Sequence, residues 1–347
     1  MTDSVAARAL AAYGMERQPK AYHAASPAEL EMHSTEWIGR KSLDILGEWD
    51  GGGNLLVTSF VKPHHPFDAA LDDANRYDPA ALALLPGWTN ECFAHDLALN
   101  PGYFPNKDLS EARLRRVMAY YYATIEQIDR QAGAMVDLLK KKGLYDDTVI
   151  VYVSDHGEYM GHHHMLLKGN YMYDSLARVP LAIKFPRGAR AGTAMSGLVS
   201  LVDLAPTLAR LAGCQPGPRM AGLDLAADAQ GRDIVFAESG RGEQVMARTR
   251  THKLLLSASP TCEQLYDLER DPHELKNVYA DPANADLVAE LAQKVRAWQG
   301  PSAVPEPFLD LGAPQIDQPN VPPRDSIDRD ARIAYYTREA KALPPGV

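Results

Sequence analysis

The 347-residue chain is short of cysteine, of basic excess and of long apolar runs, and each shortage removes a class of function. Its three cysteines, Cys92, Cys214 and Cys262, are widely spaced. They make neither a disulfide framework nor a C-x-x-C metal clip, so nothing calls for an oxidising compartment. A formal net charge of −9 argues against nucleic acid as the main partner, because phosphate binding needs a basic face. No apolar run reaches membrane-spanning length, and the opening MTDSVAARALAAYG lacks the charged-then-apolar pattern of a signal peptide. The expectation is a cytoplasmic protein with no membrane partner. The sequence shows no internal repeat.

What is present is an alternation of helix and strand signals. Ser26-Pro27-Ala28-Glu29 has the form of a capped helix start, and the helix it opens runs through Trp37 and Ile38 towards Leu46. GGGNLLVTSFVKPHHPF (51–67) reads as a glycine loop, a short apolar strand and a proline-bounded loop with His64 and His65. Between Ser110 and Lys142, Leu114, Val117, Tyr121, Ile125, Ile128, Ala132, Met135 and Leu139 step by three or four, the spacing of a long amphipathic helix. TVIVYVS (148–154) is β-branched and apolar on both faces, as a covered parallel strand requires. RVPLAIKF (178–185) and DIVFAES (233–239) read as further strands, and SLVDLAPTLARLAG (200–213) as a helix stopped by glycine.

This order predicts an α/β fold with a doubly wound, mostly parallel sheet over 1–240. A small C-terminal α+β subdomain over 241–300 follows, with strands near 245–257 and 263–271 and a helix over 284–299. Nine of the 25 prolines fall in the last 47 residues, so 301–347 is expected to be an extended arm.

Four of the eleven histidines lie within VIVYVSDHGEYMGHHHMLLKGNYMYD (149–174). In an open sheet, ligands bind beyond the carboxyl ends of the strands. Asp155 and His156 follow one strand end and His64 another, and the crossover helix between them brings both ends to one edge. Asp155 offers an oxygen and His156 a nitrogen to one divalent cation, and Lys168 a point charge for an oxyanion. Such a set suits a tetrahedral anionic ester. The plainer alternatives are a loop cap for Asp155-His156, a solvated turn for His162–His164, and an exposed neighbour of His64 for His65.

The stretch SDHGEYMGHHHMLLKGNYMYDSLARVPL resembles the S-D-H/N-G-E, G-x-H, K-G, R-V-P-L run of sulfatases and related phosphonate monoester hydrolases, in the alkaline-phosphatase superfamily. SFVKPHHPF is similar to their S-F-x-x-P-H-x-P-F loop and LVDLAPTLARLAG to their V-D-L-x-P-T-L helix. ARTRTHKLLL followed by LYDLERDPHELKNV resembles their C-terminal strand pair. The resemblance implies a hydrolase of sulfate, phosphonate or phosphate monoesters. It implies Asp155 and His156 as ligands of Ca, Mn or Mg, and His64 and Lys168 as contacts of the ester oxygens. His163 matches the G-x-H position, with a weaker implied role at the site edge.

Two family features are not recognisable: the paired aspartates that complete the metal shell, and the C/S-x-P-x-R segment whose cysteine or serine becomes formylglycine. Asp146-Asp147 precede the 148–154 strand, and Asp72-Asp73 follow no apolar strand. In CQPGPR (214–219) the arginine is displaced, so Cys214 is a decoy, and Cys92 lacks both the proline and the arginine. The expectations are therefore a chain weak or inactive alone, with self-association or a complementing N-terminal fragment covering its open sheet edge. The alternatives are a non-catalytic sulfatase-fold subunit and, less favoured by the motifs, a phosphodiesterase or mutase of the superfamily.

Overall fold

The computed structural model describes residues 33–70, 73, 75–99, 109–169, 171–228, 230–239, 244–257 and 262–300. The expected Ser26 cap, Asp72 and the 301–347 arm lie outside them. In chain order the elements are α1 (Ser34–Glu48), α2 (Ala94–Leu99), α3 (Glu111–Lys141), β1 (Ile150–Val153), α4 (Asp174–Ala177), β2 (Leu181–Lys184), α5 (Leu204–Leu211), β3 (Ile234–Ser239), β4 (Gln244–Thr249), β5 (His252–Ser257), β6 (Gln264–Asp267) and α6 (Ala285–Gln299). Two compact units result. The first takes described residues within Met1–Glu91, Asn106–Lys168 and Tyr173–Asp233; the second takes those within Cys92–Pro105, Gly169–Met172 and Ile234–Val347. Because β3 pairs with β4, a boundary at 240/241 would cut through one sheet.

In the first unit, Ser110 caps α3 by accepting a hydrogen bond from the Arg113 N–H. The apolar stripe read from the sequence is the inward face: Leu114, Val117, Ile128 and Leu139 are buried, alongside Met118, Ala119 and Ala123. α1 packs against this helix. Its cap is His33, whose Nδ1 accepts the Thr35 N–H at 3.3 Å. Among the described residues no helix is long and apolar enough to cross a membrane.

Two strand expectations need correction. β1 pairs with β2, but antiparallel, in register from Ile150–Lys184 to Val153–Leu181. The described residues thus contain no parallel pair, although the α/β character stands. The connection explains the difference: between β1 and β2 lie loops and the single turn α4, not the long crossover helix that a parallel neighbour requires. The apolar run 54–61 forms no strand and has no ladder partner among the described residues. Its alternate side chains Leu55, Val57 and Val61 are 82%, 79% and 64% exposed.

α5 is held by a buried carboxylate. Asp203, fully buried, receives both terminal nitrogens of Arg232 at 2.6 Å and the N–H groups of Ser200 and Leu223 at 2.8 and 2.7 Å. Burial pushes its carboxyl up, but the Arg232 guanidinium and the two N–H groups outweigh that and hold it below the ordinary carboxylate range.

The second unit is an antiparallel meander in the order β3-β4-β5-β6. Val245, Ala247, Leu254 and Leu265 of the sheet pack on Leu291, Ala292 and Val295 of α6, closing a core of its own. Lys253 is fully buried on β5. Its Nζ meets the Glu274 carboxylate at 2.7 Å and donates to the Met172 carbonyl at 3.1 Å.

Replacing Asp203 leaves a buried guanidinium without its counter-charge. Asp203→Ala is expected to cost about 3 kcal/mol in urea unfolding at pH 7, the lower end for a broken buried pair because Arg232 is 24% exposed. Since the folded pKa lies below the unfolded value, this stabilisation is present above about pH 4 and lost as pH falls through the folded pKa. The gap between parent and variant should therefore shrink at pH 3. The exposed run predicts a second outcome. Leu55→Lys with Val57→Lys should reduce self-association of the concentrated protein in sedimentation velocity; an unchanged distribution would show that these side chains do not drive it.

Candidate active site

The chemistry-bearing segment leaves the carboxyl end of β1 as a tight polar turn. Ser154 donates its hydroxyl to the His156 carbonyl at 2.7 Å, and Asp155 Oδ1 accepts the His156 N–H at 2.9 Å. His156 Nδ1 lies 2.8 Å from the Gly157 carbonyl. A carbonyl only accepts, so Nδ1 carries a proton and donates it, and Nε2 is the ring nitrogen left for another partner. Asp155 Oδ2 and His156 Nε2 are 3.9 Å apart, with side chains 86% and 38% exposed.

The next two residues anchor the turn. Gly157 N–H donates to the Leu176 carbonyl at 2.7 Å and Glu158 N–H to the Ser175 carbonyl at 3.1 Å. A Cβ on Gly157 would stand 2.1 Å from the Ser175 carbonyl oxygen, so this approach requires glycine. From Glu158 the chain makes a loop closed at its neck by Tyr159 N–H on the Leu167 carbonyl, 3.0 Å, and inside it by Gly161 N–H on the Met165 carbonyl, 2.7 Å. Met160, Gly161, His163, His164 and Leu167 all have positive φ. Lys168 emerges directly after the neck.

Glu158 lies against the neck. Burial pushes its carboxyl up to about 7, against N–H groups of Met160, Leu167 and Tyr159 and the charge of Lys168, which favour the anion. For Lys168, burial lowers the pKa, while the carboxylates of Glu158 and Asp155 raise it. Lys168 therefore stands within the field of Asp155.

The proline-bounded loop is fastened from within. The buried Lys62 ammonium donates to the Pro66 carbonyl at 2.7 Å and is paired with Asp68, while His33 Nε2 donates to the Asp68 carbonyl at 3.0 Å. His64 is exposed and its Nδ1 donates to the His65 carbonyl at 2.6 Å. His65 is half-buried, reversing the exposure expected of the pair. Two prolines set the turn, so which ring faces out follows from backbone angles and not from residue type. The rings stack at 4.2 Å and 25°. Burial, His64, Lys168, Lys62 and His156 together push the His65 imidazole down to about 4.

Three separated segments thus lie within electrostatic range of one another: the His64–His65 loop, the Asp155–His156 turn and Lys168. The histidine triplet is not a solvated turn. His162, His163 and His164 are 6%, 0% and 6% exposed. His163 stacks on His162 at 4.2 Å and lies 4.3 Å from the Tyr173 ring, while His164 Nδ1 donates to the Thr89 carbonyl at 2.7 Å beside Trp88. His163 is thus fully buried, whereas Asp155 and His64 are exposed.

Glu158 and His65 are the residues that sequence reasoning passed over. Glu158 was visible in the S-D-H-G-E run, but nothing in it signals a carboxyl at the loop neck.

The other acidic pairs and the cysteines lie as expected. Asp73 is consumed by Arg130 at 2.6 and 3.1 Å, Gln127 at 3.0 Å and Arg76 at 3.0 Å. Asp147 pairs with Arg187 at the far end of β1. Cys214 is an exposed free thiol in the turn after α5.

An α/β scaffold that gathers an acid–imidazole pair, a lysine and two further imidazoles from distant segments defines a candidate anionic-ester site. Comparison with known proteins names the scaffold. Residues 4–214 match the sulfatase family, and 161–300 match the N-sulphoglucosamine sulphohydrolase C-terminal family. The chain belongs to the sulfatase family. It is 31% identical over 267 residues to an arylsulfatase of Clostridium perfringens, covering 72% of this chain and 54% of that one. It is 27% identical over 310 residues to the multifunctional alkaline phosphatase superfamily protein PehA of Trinickia caryophylli, covering 78% and 60%. Among solved structures, the phosphonate monoester hydrolase of Agrobacterium radiobacter matches with a TM-score of 0.68 and 28% identity, over 78% of this chain and 61% of that one. The chain spans about half the length of the curated relatives it matches.

The close approach at Gly157 generates a prediction. Gly157→Ala forces a Cβ against backbone and should cost about 1–3 kcal/mol in thermal or chemical unfolding. An unchanged midpoint would mean that the Ser175–Leu176 turn yields freely.

Proposed function

We propose that this chain carries part of the active centre of a metal-dependent hydrolase of small sulfate or phosphonate/phosphate monoesters. The observation that supports this reading is that the His64–His65 loop, Asp155–His156 and Lys168, which come from separate parts of the sequence, lie within electrostatic range of one another. A non-catalytic fold would have no need to gather them.

The donor pair fits a divalent cation. Asp155 Oδ2 and His156 Nε2, an oxygen and a nitrogen 3.9 Å apart, would be near enough to share one ion. Asp155 Oδ1 and His156 Nδ1 are occupied by backbone, which leaves the other atom of each free to bind. When bound, such a cation supplies Lewis-acid charge to an ester oxygen. Two ligands are a partial shell for Ca, Mn or Mg. Further anionic oxygens, and a nucleophile, are required for a complete centre.

The chain's own groups have distinct tasks. Lys168 holds an ester oxygen as a fixed positive charge, and its burial strengthens that contact relative to water. His64, with Nδ1–H tied to the His65 carbonyl, presents Nε2; a proton there passes to the departing oxygen. His163, at the G-x-H position, has the weaker role at the site edge, where it shapes the Lys168 loop from within. Small anionic esters are thus the substrates of this reading, and a second copy or a complementing polypeptide its macromolecular partner.

Calorimetric titration with Mn²⁺ tests the metal assignment. The parent should take up the ion, while Asp155→Ala and His156→Ala should weaken binding at least tenfold. Equal affinity in all three would remove the pair from the metal site. In any form of the protein that turns over an aryl sulfate or phenyl phosphonate, Lys168→Ala and His64→Ala should each lower kcat/KM by about a hundredfold or more; near-parental rates would sink their roles.

A further inference from the structure

The meander of the second unit has a second buried face, turned away from α6, and that face carries polar side chains. Residues alternate across a sheet, so with Val245, Ala247, Leu254 and Leu265 on α6, Gln244, Lys253, Gln264 and Tyr266 lie on the opposite face. All four are fully buried. Gln244 and Lys253 grip a single residue from there. The Met172 N–H donates to Gln244 Oε1 at 2.9 Å, and Lys253 Nζ donates to the Met172 carbonyl at 3.1 Å. Glu274, also fully buried, holds the ammonium at 2.7 Å. One residue earlier, the buried Tyr171 donates its hydroxyl to the His95 carbonyl. The strap Gly169–Met172 is thereby fastened within the second unit.

We propose that Lys253 and Gln244 are positioning residues for Lys168, acting on it through the strap. The proposal rests on the ester site described above and adds the residues that hold its lysine in place. Lys168 is peptide-bonded to the strap on one side and to Leu167 on the other, and the Leu167 carbonyl accepts the Tyr159 N–H at 3.0 Å. It therefore stands between two backbone clamps, the loop neck at Leu167 and the gripped Met172. Four residues span at most about 14 Å, so the second clamp bounds where the lysine's backbone can go. A buried ion pair is costly, and an apolar pair could fill the same space. What the Lys253 ammonium provides, and an apolar side chain does not, is a donor for the Met172 carbonyl.

A double-mutant cycle with inorganic phosphate as the probe tests this. Phosphate is titrated calorimetrically into the whole chain with Mg²⁺ present, for the parent and for Lys168→Ala. Both backgrounds are then measured with Lys253→Met and Glu274→Gln together, a charge-free pair of similar size. That pair should weaken phosphate about fivefold when Lys168 is present, and leave the residual, metal-borne affinity unchanged when it is alanine, because the effect travels through that lysine. Gln244→Met releases the Met172 N–H without touching a charge and should repeat the pattern. Equal weakening in both backgrounds, the mark of a merely structural loss, overturns the proposal, as does parental affinity in both variants; the ester site then still stands. If the parent binds no phosphate, or Lys168→Ala binds it as the parent does, the ester site fails and the proposal with it.

Discussion

The candidate site depends on one close backbone approach. Gly157 and Glu158 donate their N–H groups to the Leu176 and Ser175 carbonyls, and this contact closes the segment that begins at β1 and returns through α4. Everything with chemistry on that segment is positioned by it. Asp155 and His156 stand just before the contact, the Glu158 carboxyl just after it, and Lys168 directly after the neck of the loop that follows. A side chain at 157 would meet carbonyl oxygen at 2.1 Å, so the sequence needs glycine there for a steric reason independent of any ligand.

Around this contact the polar groups divide into those the fold uses and those it leaves for chemistry. Lys62, Asp68, Asp73 and Asp203 are each consumed by hydrogen bonds that fasten a loop or a helix. Their burial makes such pairing obligatory, since an unpaired buried charge is costly. Asp155 and His64 differ in being exposed, with their inner atoms satisfied by backbone and their outer atoms turned to solvent. That contrast distinguishes a site from a structural network more sharply than residue type does. It also explains why Asp73, an acid of the same kind, is no substitute ligand.

Much of this was legible in the sequence, and what was not has identifiable causes. The stripe from Leu114 to Leu139 gave α3 to within a residue at each end, because helical periodicity over thirty residues has no competing reading. The strands of the second unit were equally plain, each bounded by turn residues. The parallel sheet was not recovered among the described residues, since an apolar run carries no information about strand direction. Leu55–Val61 alternates as a strand should, but such a run becomes a strand only when another strand supplies its ladder. For the candidate site, Asp155, His156, His64 and Lys168 were singled out by strand-end position and motif spacing. His65 was set aside because composition cannot say which of two adjacent imidazoles a proline-bounded turn will bury, and His162–His164 looked polar although ring stacking had taken them inside.

The meander of the second unit has a kinetic implication. Each of its strands pairs with its neighbour in sequence, from Ser239–Gln244 at one hairpin to Arg248–Lys253 at the next. Contacts of such low contact order close with little loss of chain entropy, and hairpins of this kind assemble in about 1–10 μs. The first unit is built oppositely, from residues such as Asp73 and Arg130 or Asp203 and Arg232 that meet only after long loops have closed. The nascent chain can therefore complete its second sheet rapidly once α6 is available to cover it, while the first unit sets the pace of maturation.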